Sequence, residues 1–183
     1  MDILQAVPFT GCTTKAGASA GTTTTLTTAN ITLFGIRGKA YLRAATANAA
    51  TPTTDIVTGV AFLPVPVGVA SAANGQGGFT DGYGHGALYV VGCNAAGALR
   101  VAQGSIERTT AGAVATSTFQ AAVGMPRFPA LPDDFCPFCY IVVKTDSTAA
   151  AWTFGTSNLT GPPTGVTITF VDLMSMPDRA QVS

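Results

Sequence analysis

The chain has 183 residues, with nine lysines and arginines against nine aspartates and glutamates and one histidine. That length fits one domain, and a net charge of zero with a pI near 6.5 offers no cationic excess for nucleic acid or an anionic membrane. Charged residues are only 10% of the chain against 47% hydrophobic, so threonine, serine, asparagine, glycine and alanine must cover the surface, a composition that favours association with other protein.

The same composition is poor in acid and base. His85, Glu107, Lys15, Lys39 and Lys144 are scattered among glycines, whereas general acid–base catalysis relies on clustering such groups. No catalytic residue, cofactor or metal is expected. The opening residues MDILQAVPFTGC lack the basic region and continuous apolar core of a signal peptide, and no apolar run of membrane-spanning length follows. Synthesis in a cytosol is therefore expected, with Cys12, Cys93, Cys136 and Cys139 reduced and used for packing.

Residues 1–30 differ from the rest. Ile3, Leu4, Val7 and Phe9 form a short apolar group, after which small residues and threonines dominate. Such a segment cannot offset its own ordering entropy in isolation. The preferred reading is an extended arm that orders on a neighbouring subunit; the other is an edge strand built from residues 22–28, whose β-branched side chains favour extended backbone. Residues 31–183 are expected to form a single domain.

From residue 31 the pattern is that of strands. Ile31, Leu33, Ile36, Ala40 and Leu42 are expected on one face, with Arg37, Lys39 and Arg43 opposite and bends at Gly35 and Gly38. Pro64 and Pro66 remove two donors, which places residues 55–68 at a sheet edge or outside the sheet. Residues 71–86 form a glycine-rich loop. Residues 88–91 and 99–106 read as a hairpin closed by a turn at 94–97. The stretch 109–138, broken by Pro126, Pro129 and Pro132, should wrap over a sheet or line an interface. Strands follow at 140–144 and 152–154, and in the next apolar stretch Val166, Ile168, Phe170 and Leu173 are expected to share a face. Without helical periodicity anywhere, these short strands predict an all-β, two-sheet antiparallel sandwich, jelly-roll-like, with the extended N-terminal arm.

Four motifs carry possible chemistry. Cys136-Pro-Phe-Cys139 has redox spacing, but a proline-rich loop precedes it and a β-branched run follows, where a redox dithiol needs a helix. Zinc is the other use of that spacing, with Cys12, Cys93 or His85 completing the ligands, yet no second paired motif exists. Gly82-Tyr83-Gly84-His85-Gly86 lacks the helix that a phosphate loop requires, leaving His85 as an exposed loop residue. Tyr140, Trp152, Phe154 and Phe170 fit core or interface packing better than a sugar platform. Asp133-Asp134 suits a turn, since neighbours on extended chain point apart.

Residues 128–137, 140–144, 152–158 and 176–179 (FPALPDDFCP, YIVVK, WTFGTSN and MPDR) resemble a recurring segment of tailed-bacteriophage virion structural proteins, of the capsid decoration or cement type. The resemblance spans roughly residues 88–179. It departs at Cys139, where a small apolar residue is expected, and at Ala180, where a proline is expected. The resemblance implies a β-sandwich with a structural role and no catalysis. The expected partners are a major capsid protein and further copies of the chain, as a dimer or trimer, on the capsid exterior. The expected contact residues are Ile3, Leu4, Val7, Phe9, Met125, Phe128 and Leu131, which combine the arm with the proline-rich loop. The alternative is a head-fibre or tail adhesin that binds host glycans through the loop at 75–86, with Tyr83 and His85 as its test residues.

Overall fold

A computed structural model describes residues 10–66, 84–109, 125–146 and 151–175. The described residues contain no helix and ten strands: β1 (Gly11–Cys12), β2 (Ala18–Ala20), β3 (Leu26–Thr28), β4 (Thr32–Ile36), β5 (Lys39–Arg43), β6 (Thr46–Ala49), β7 (His85–Cys93), β8 (Leu99–Arg108), β9 (Cys136–Thr145) and β10 (Val166–Asp172). They form three antiparallel sheets, ordered β1-β4-β5, β2-β3-β6 and β10-β9-β7-β8. The all-β expectation is met at that level.

The four-stranded sheet organises the molecule. Every residue of β7 and of β9 is buried, so both faces of these central strands are covered, which accounts for continuous apolar runs such as ALYVV and YIVV in place of alternation. On one face Ala87, Tyr89, Val91, Ile141 and Val143 join Leu26, Phe34, Ile36, Phe62, Trp152 and Phe154 in the main core. On the other face Leu88, Val90, Phe135, Tyr140, Val142 and Leu173 form a smaller core, over which Phe128 and Leu131 lie. The β7–β8 hairpin closes as its turn residues dictate. Asn94 Oδ1 accepts from the backbone N–H of Ala96 and Ala98 at 3.1 Å each, and Gly97 takes the left-handed conformation at φ 75° that this loop requires.

Residues 10–30 of the segment expected as an arm belong instead to two of the sheets. Gly11 and Cys12 pair with Gly35 and Phe34, while β3 lies between β2 and β6. Threonines make this possible: Thr14 Oγ1 donates to the Ile31 carbonyl at 3.1 Å and Thr51 Oγ1 to that of Thr24 at 2.7 Å. The threonine-rich stretch thus gains from hydrogen bonds what it lacks in apolar area. Residues 1–9, with Ile3, Leu4, Val7 and Phe9, lie outside the described residues.

The β4–β5 hairpin exists with its faces reversed in part: Ile36 is buried and Arg37 and Lys39 are exposed as expected, but Leu33, Leu42 and Arg43 are not on the expected sides. Phe34, Ile36 and Arg43 are buried, whereas Ile31, Leu33 and Leu42 are exposed. The tight turn explains the phase: Arg37 and Gly38 both have positive φ, 49° and 77°, so Ile36 pairs directly with Lys39 and Leu33 with Leu42 in the two-residue geometry that matches strand twist. At β10 the expectation holds for three of its four residues: Val166, Ile168 and Phe170 share the main core, but Leu173, just past the strand, belongs to the other cluster. Residues 55–66 lie outside the three sheets, as their prolines predict; Val65 makes only an isolated bridge to Trp152.

The reversed phase makes a direct prediction. Phe34→Ala should destabilise by about 3–4 kcal/mol as a large core truncation, and Leu42→Thr by less than about 0.5 kcal/mol as a surface change. Urea unfolding of the two variants checks this, and the opposite ranking would restore the original assignment of faces.

Candidate functional site

Two places gather residues with potential function. The first is where β1 crosses β9. Pro137 sits in β9 without an N–H to give, and the ladder to β7 slips there, with Gly92 opposite Pro137 and a register irregularity between Val91 and Gly92. Bulges are where a sheet tolerates proline. A Cβ on Gly92 would meet the Phe135 ring at 2.6 Å and the Cys136 backbone closer still, so only glycine lets the strands approach here.

That irregularity brings the cysteines together. All four thiols are free and buried within the main core. Cys93 and Cys136 are register partners, and Cys12 Sγ lies 3.7 Å from Cys136 Sγ. Cys12 also donates to the Pro137 carbonyl at 3.5 Å. The S–H of Cys136 pulls the Cys12 thiol below its ordinary value against the effect of burial, and the same bond, with burial, pushes Cys136 up. Burial raises Cys93 to about 12, helped by Cys12 and opposed by Arg43. Cys139 is raised for the same first reason, with the Asp172 carboxylate adding. Cys136 and Cys139 lie on one strand with no helix beside them, which excludes the activated geometry of a redox C-x-x-C. No group of three His, Cys, Asp or Glu side chains among the described residues is placed to hold a metal ion.

The second place is the surface beside β1 and β4. Thr10, Arg37, Leu131, Pro132, Asp133, Phe135 and Pro137 line an open groove of about 430 Å³. Arg37 Nη2 meets Asp133 Oδ2 at 2.7 Å across it, with side chains 66% and 81% exposed. At that exposure the ion pair is worth less than about 1 kcal/mol. Asp133→Asn should leave the unfolding midpoint nearly unchanged; a loss above about 1 kcal/mol in urea would show the groove to be a rigid structural element. On the neighbouring outer face, Ile31, Leu33 and Leu42 are 58%, 41% and 68% exposed, with Leu33 and Leu42 directly paired.

The expected contact residues divide accordingly. Leu131 lines the groove and also packs on the smaller core beside Phe128, whose ring meets that of Tyr140 edge-on at 5.4 Å. Met125 is exposed. Of the aromatics, Trp152, Phe154 and Tyr140 are fully buried, in line with packing. His85 is buried in β7, opposite Arg108, not exposed in a loop as expected. A side chain so enclosed cannot stack on a glycan. Tyr83 lies outside the described residues.

Sequence reading missed Asp55. This buried carboxylate accepts from the N–H of Val57 at 3.1 Å and of Gln103 at 3.3 Å through Oδ1, and from the Thr58 hydroxyl at 2.9 Å through Oδ2. It ties the turn at 55–61 to the β8 edge. The signal was present as Asp55 followed three residues later by Thr58, a turn that an aspartate closes on its own backbone. Comparison of the chain with models of protein families, with characterised proteins and with solved structures gives no match.

Proposed function

We propose that this protein is a structural component of a tailed-bacteriophage virion, one that decorates the capsid exterior and bridges neighbouring subunits of the major capsid protein. In this reading its sheets form a jelly-roll-like sandwich, and it assembles with itself as a dimer or trimer. It does no catalysis and engages neither nucleic acid nor membrane. The observation that carries the reading is the exposed apolar row Ile31, Leu33 and Leu42 on the outer face of β4–β5, on a chain with only 10% charged residues. A contiguous apolar face on so weakly charged a surface marks a protein contact. The resemblance of the motifs between residues 128 and 179 to virion structural proteins supports a contact of this kind.

The groove beside Thr10 adds to this. Thr10 and Leu131 both line it, which supports a contact surface on this side of the protein. Many such modest contacts, repeated by symmetry, stabilise a shell by mass action.

The test uses capsids assembled from the cognate capsid protein, with and without this chain. Decorated capsids should withstand a higher temperature. A Leu33→Asp/Leu42→Asp variant, folded because both positions are exposed, should bind at least tenfold more weakly. Removal of residues 2–9 tests the arm cleanly, whereas a longer deletion would take β1 and β2 with it. Equal rupture temperatures and equal binding by the double variant would refute the proposal.

A further inference from the structure

We propose that Cys12 and Cys136 are a disulfide-forming pair, a covalent latch that fastens β1 to β9 when the protein meets a peroxide. Three observations carry this, none of which depends on a virion role. The two sulfurs are in van der Waals contact at 3.7 Å although their residues lie 124 apart in sequence, and both point at one acceptor, the Pro137 carbonyl, at 3.5 and 3.8 Å. Bond formation needs a further approach of roughly 1.6 Å to reach a normal S–S length, a movement that falls to the two-residue strand β1.

The two thiols are unequal, and that sets the order of events. Cys12 lies on a strand of only two residues, held by pairing to β4 and by its own N–H donating to the Met174 carbonyl at 2.8 Å. Such a short terminal strand opens at small free-energy cost, while β9 between two long neighbours stays closed. Cys12 is therefore the thiol that meets the oxidant. It is also the one whose thiolate is favoured, because the S–H of Cys136 donates to it. The Cys12 thiolate attacks one peroxide oxygen, forming a sulfenic acid and releasing hydroxide, which takes up the thiol proton as water. On reclosure the Cys136 sulfur attacks the Cys12 sulfur, the S–O bond breaks, and a second water leaves with the Cys136 proton. Two thiols are oxidised to one disulfide and one peroxide is reduced to two waters. Cys93 and Cys139, deep in the core with their thiols held protonated, stay reduced.

The bond would close a loop of more than a hundred residues and so restrict the unfolded chain strongly. The experiment treats the reduced full-length protein with a small excess of hydrogen peroxide, quenches, and blocks remaining thiols after denaturation. The expected product has lost two hydrogens and carries two blocked thiols. Trypsin should release residues 1–15 joined to residues 128–144, and a Cys139→Ser variant should form the same link, which assigns it to Cys136. The melting temperature should rise by about 10 °C and return to its starting value on reduction. A Cys12→Ser variant should show neither change. Four blockable thiols after treatment, a link through Cys93 or Cys139, or oxidation that stops at a Cys12 sulfenic or sulfinic acid would each overturn the proposal. Should Cys12→Ser fail to fold, the linked peptides from the Cys139→Ser chain decide the matter alone.

Discussion

Replacing Trp152 by alanine is expected to cost about 4 kcal/mol or more, enough to remove a large part of the 5–15 kcal/mol that stabilises a typical domain. Trp152 is the only tryptophan and is fully buried. It belongs to no named strand, yet it joins two otherwise irregular segments to the central sheet. Its backbone pairs with Val65 in both directions, at 2.8 and 3.3 Å, and its indole N–H donates to the Asn158 carbonyl at 3.1 Å. The ring meets Tyr89 of β7 edge-on at 5.7 Å and Phe154 at 6.0 Å, and Phe154 in turn stacks on Tyr89 at 5.0 Å. Truncation would leave a cavity among groups whose positions depend on the ring, and would remove the donor to the Asn158 carbonyl.

Trp152→Phe separates these contributions. It keeps most of the packing and loses only the donor, so about 1–2 kcal/mol is expected. Urea unfolding followed by far-ultraviolet circular dichroism measures both variants, since the fluorophore itself is removed. A loss below about 1 kcal/mol for the alanine variant would mean that the aromatic cluster is not what binds the loops to the sheet.

Sequence pattern revealed the long-range frame of the fold unevenly. The β7–β8 hairpin was legible because Asn94 and Gly97 fix its turn and both arms are long. Strand β9 was found only from Tyr140 onward, since Pro137 argues against a strand unless a bulge in the partner is known. The faces of β4–β5 were misassigned for a different reason. Both faces carry apolar residues, so alternation alone cannot tell Leu33 and Leu42 from Phe34 and Ile36; the register imposed by Arg37-Gly38 decides it. Residues 10–30 read as an arm because threonine contributes little buried area, whereas their order comes from hydrogen bonds to distant backbone, which no local window contains. The meeting of Cys12 with Cys136 was illegible for the same reason. Cys136 and Cys139 drew attention by their spacing, but the partner that matters comes from the other end of the chain. Asp55 carried a readable local signal, a turn aspartate with Thr58 three residues on, although its burial against β8 depends on Gln103.

Raising the pH above about 9 should destabilise the protein steeply, and the buried thiols and one phenol set the slope. Burial moves Cys93 from an ordinary 9.0 to about 12 and raises Cys139 and Tyr89 as well. In the unfolded chain thiols lose their protons near pH 8.5–9 and the tyrosine near 10. Between those values and the raised native ones, the native state holds protons that the unfolded state has released, so stability falls as pH rises. Below about pH 8 the contribution is fully present. Cys93 alone accounts for roughly 4 kcal/mol across its window, taking 1.4 kcal/mol per pH unit. Cys12 and Cys136 share a hydrogen bond and are shifted in opposite directions: the lowered Cys12 acts only below its unfolded value, while the raised Cys136 adds to the fall above about pH 9. The slope in that window therefore comes from Cys93, Cys136, Cys139 and Tyr89. Urea midpoints taken from pH 7 to 11 under reducing conditions should drop continuously from about pH 9. Cys93→Ala should start lower at pH 7, by about 1 kcal/mol for the lost sulfur, and then decline less steeply, so that the two curves converge at high pH. Parallel curves for wild type and variant would show that Cys93 ionises as easily in the native protein as in the unfolded chain, and that the core around β7 and β9 admits water where the four-stranded sheet is most enclosed.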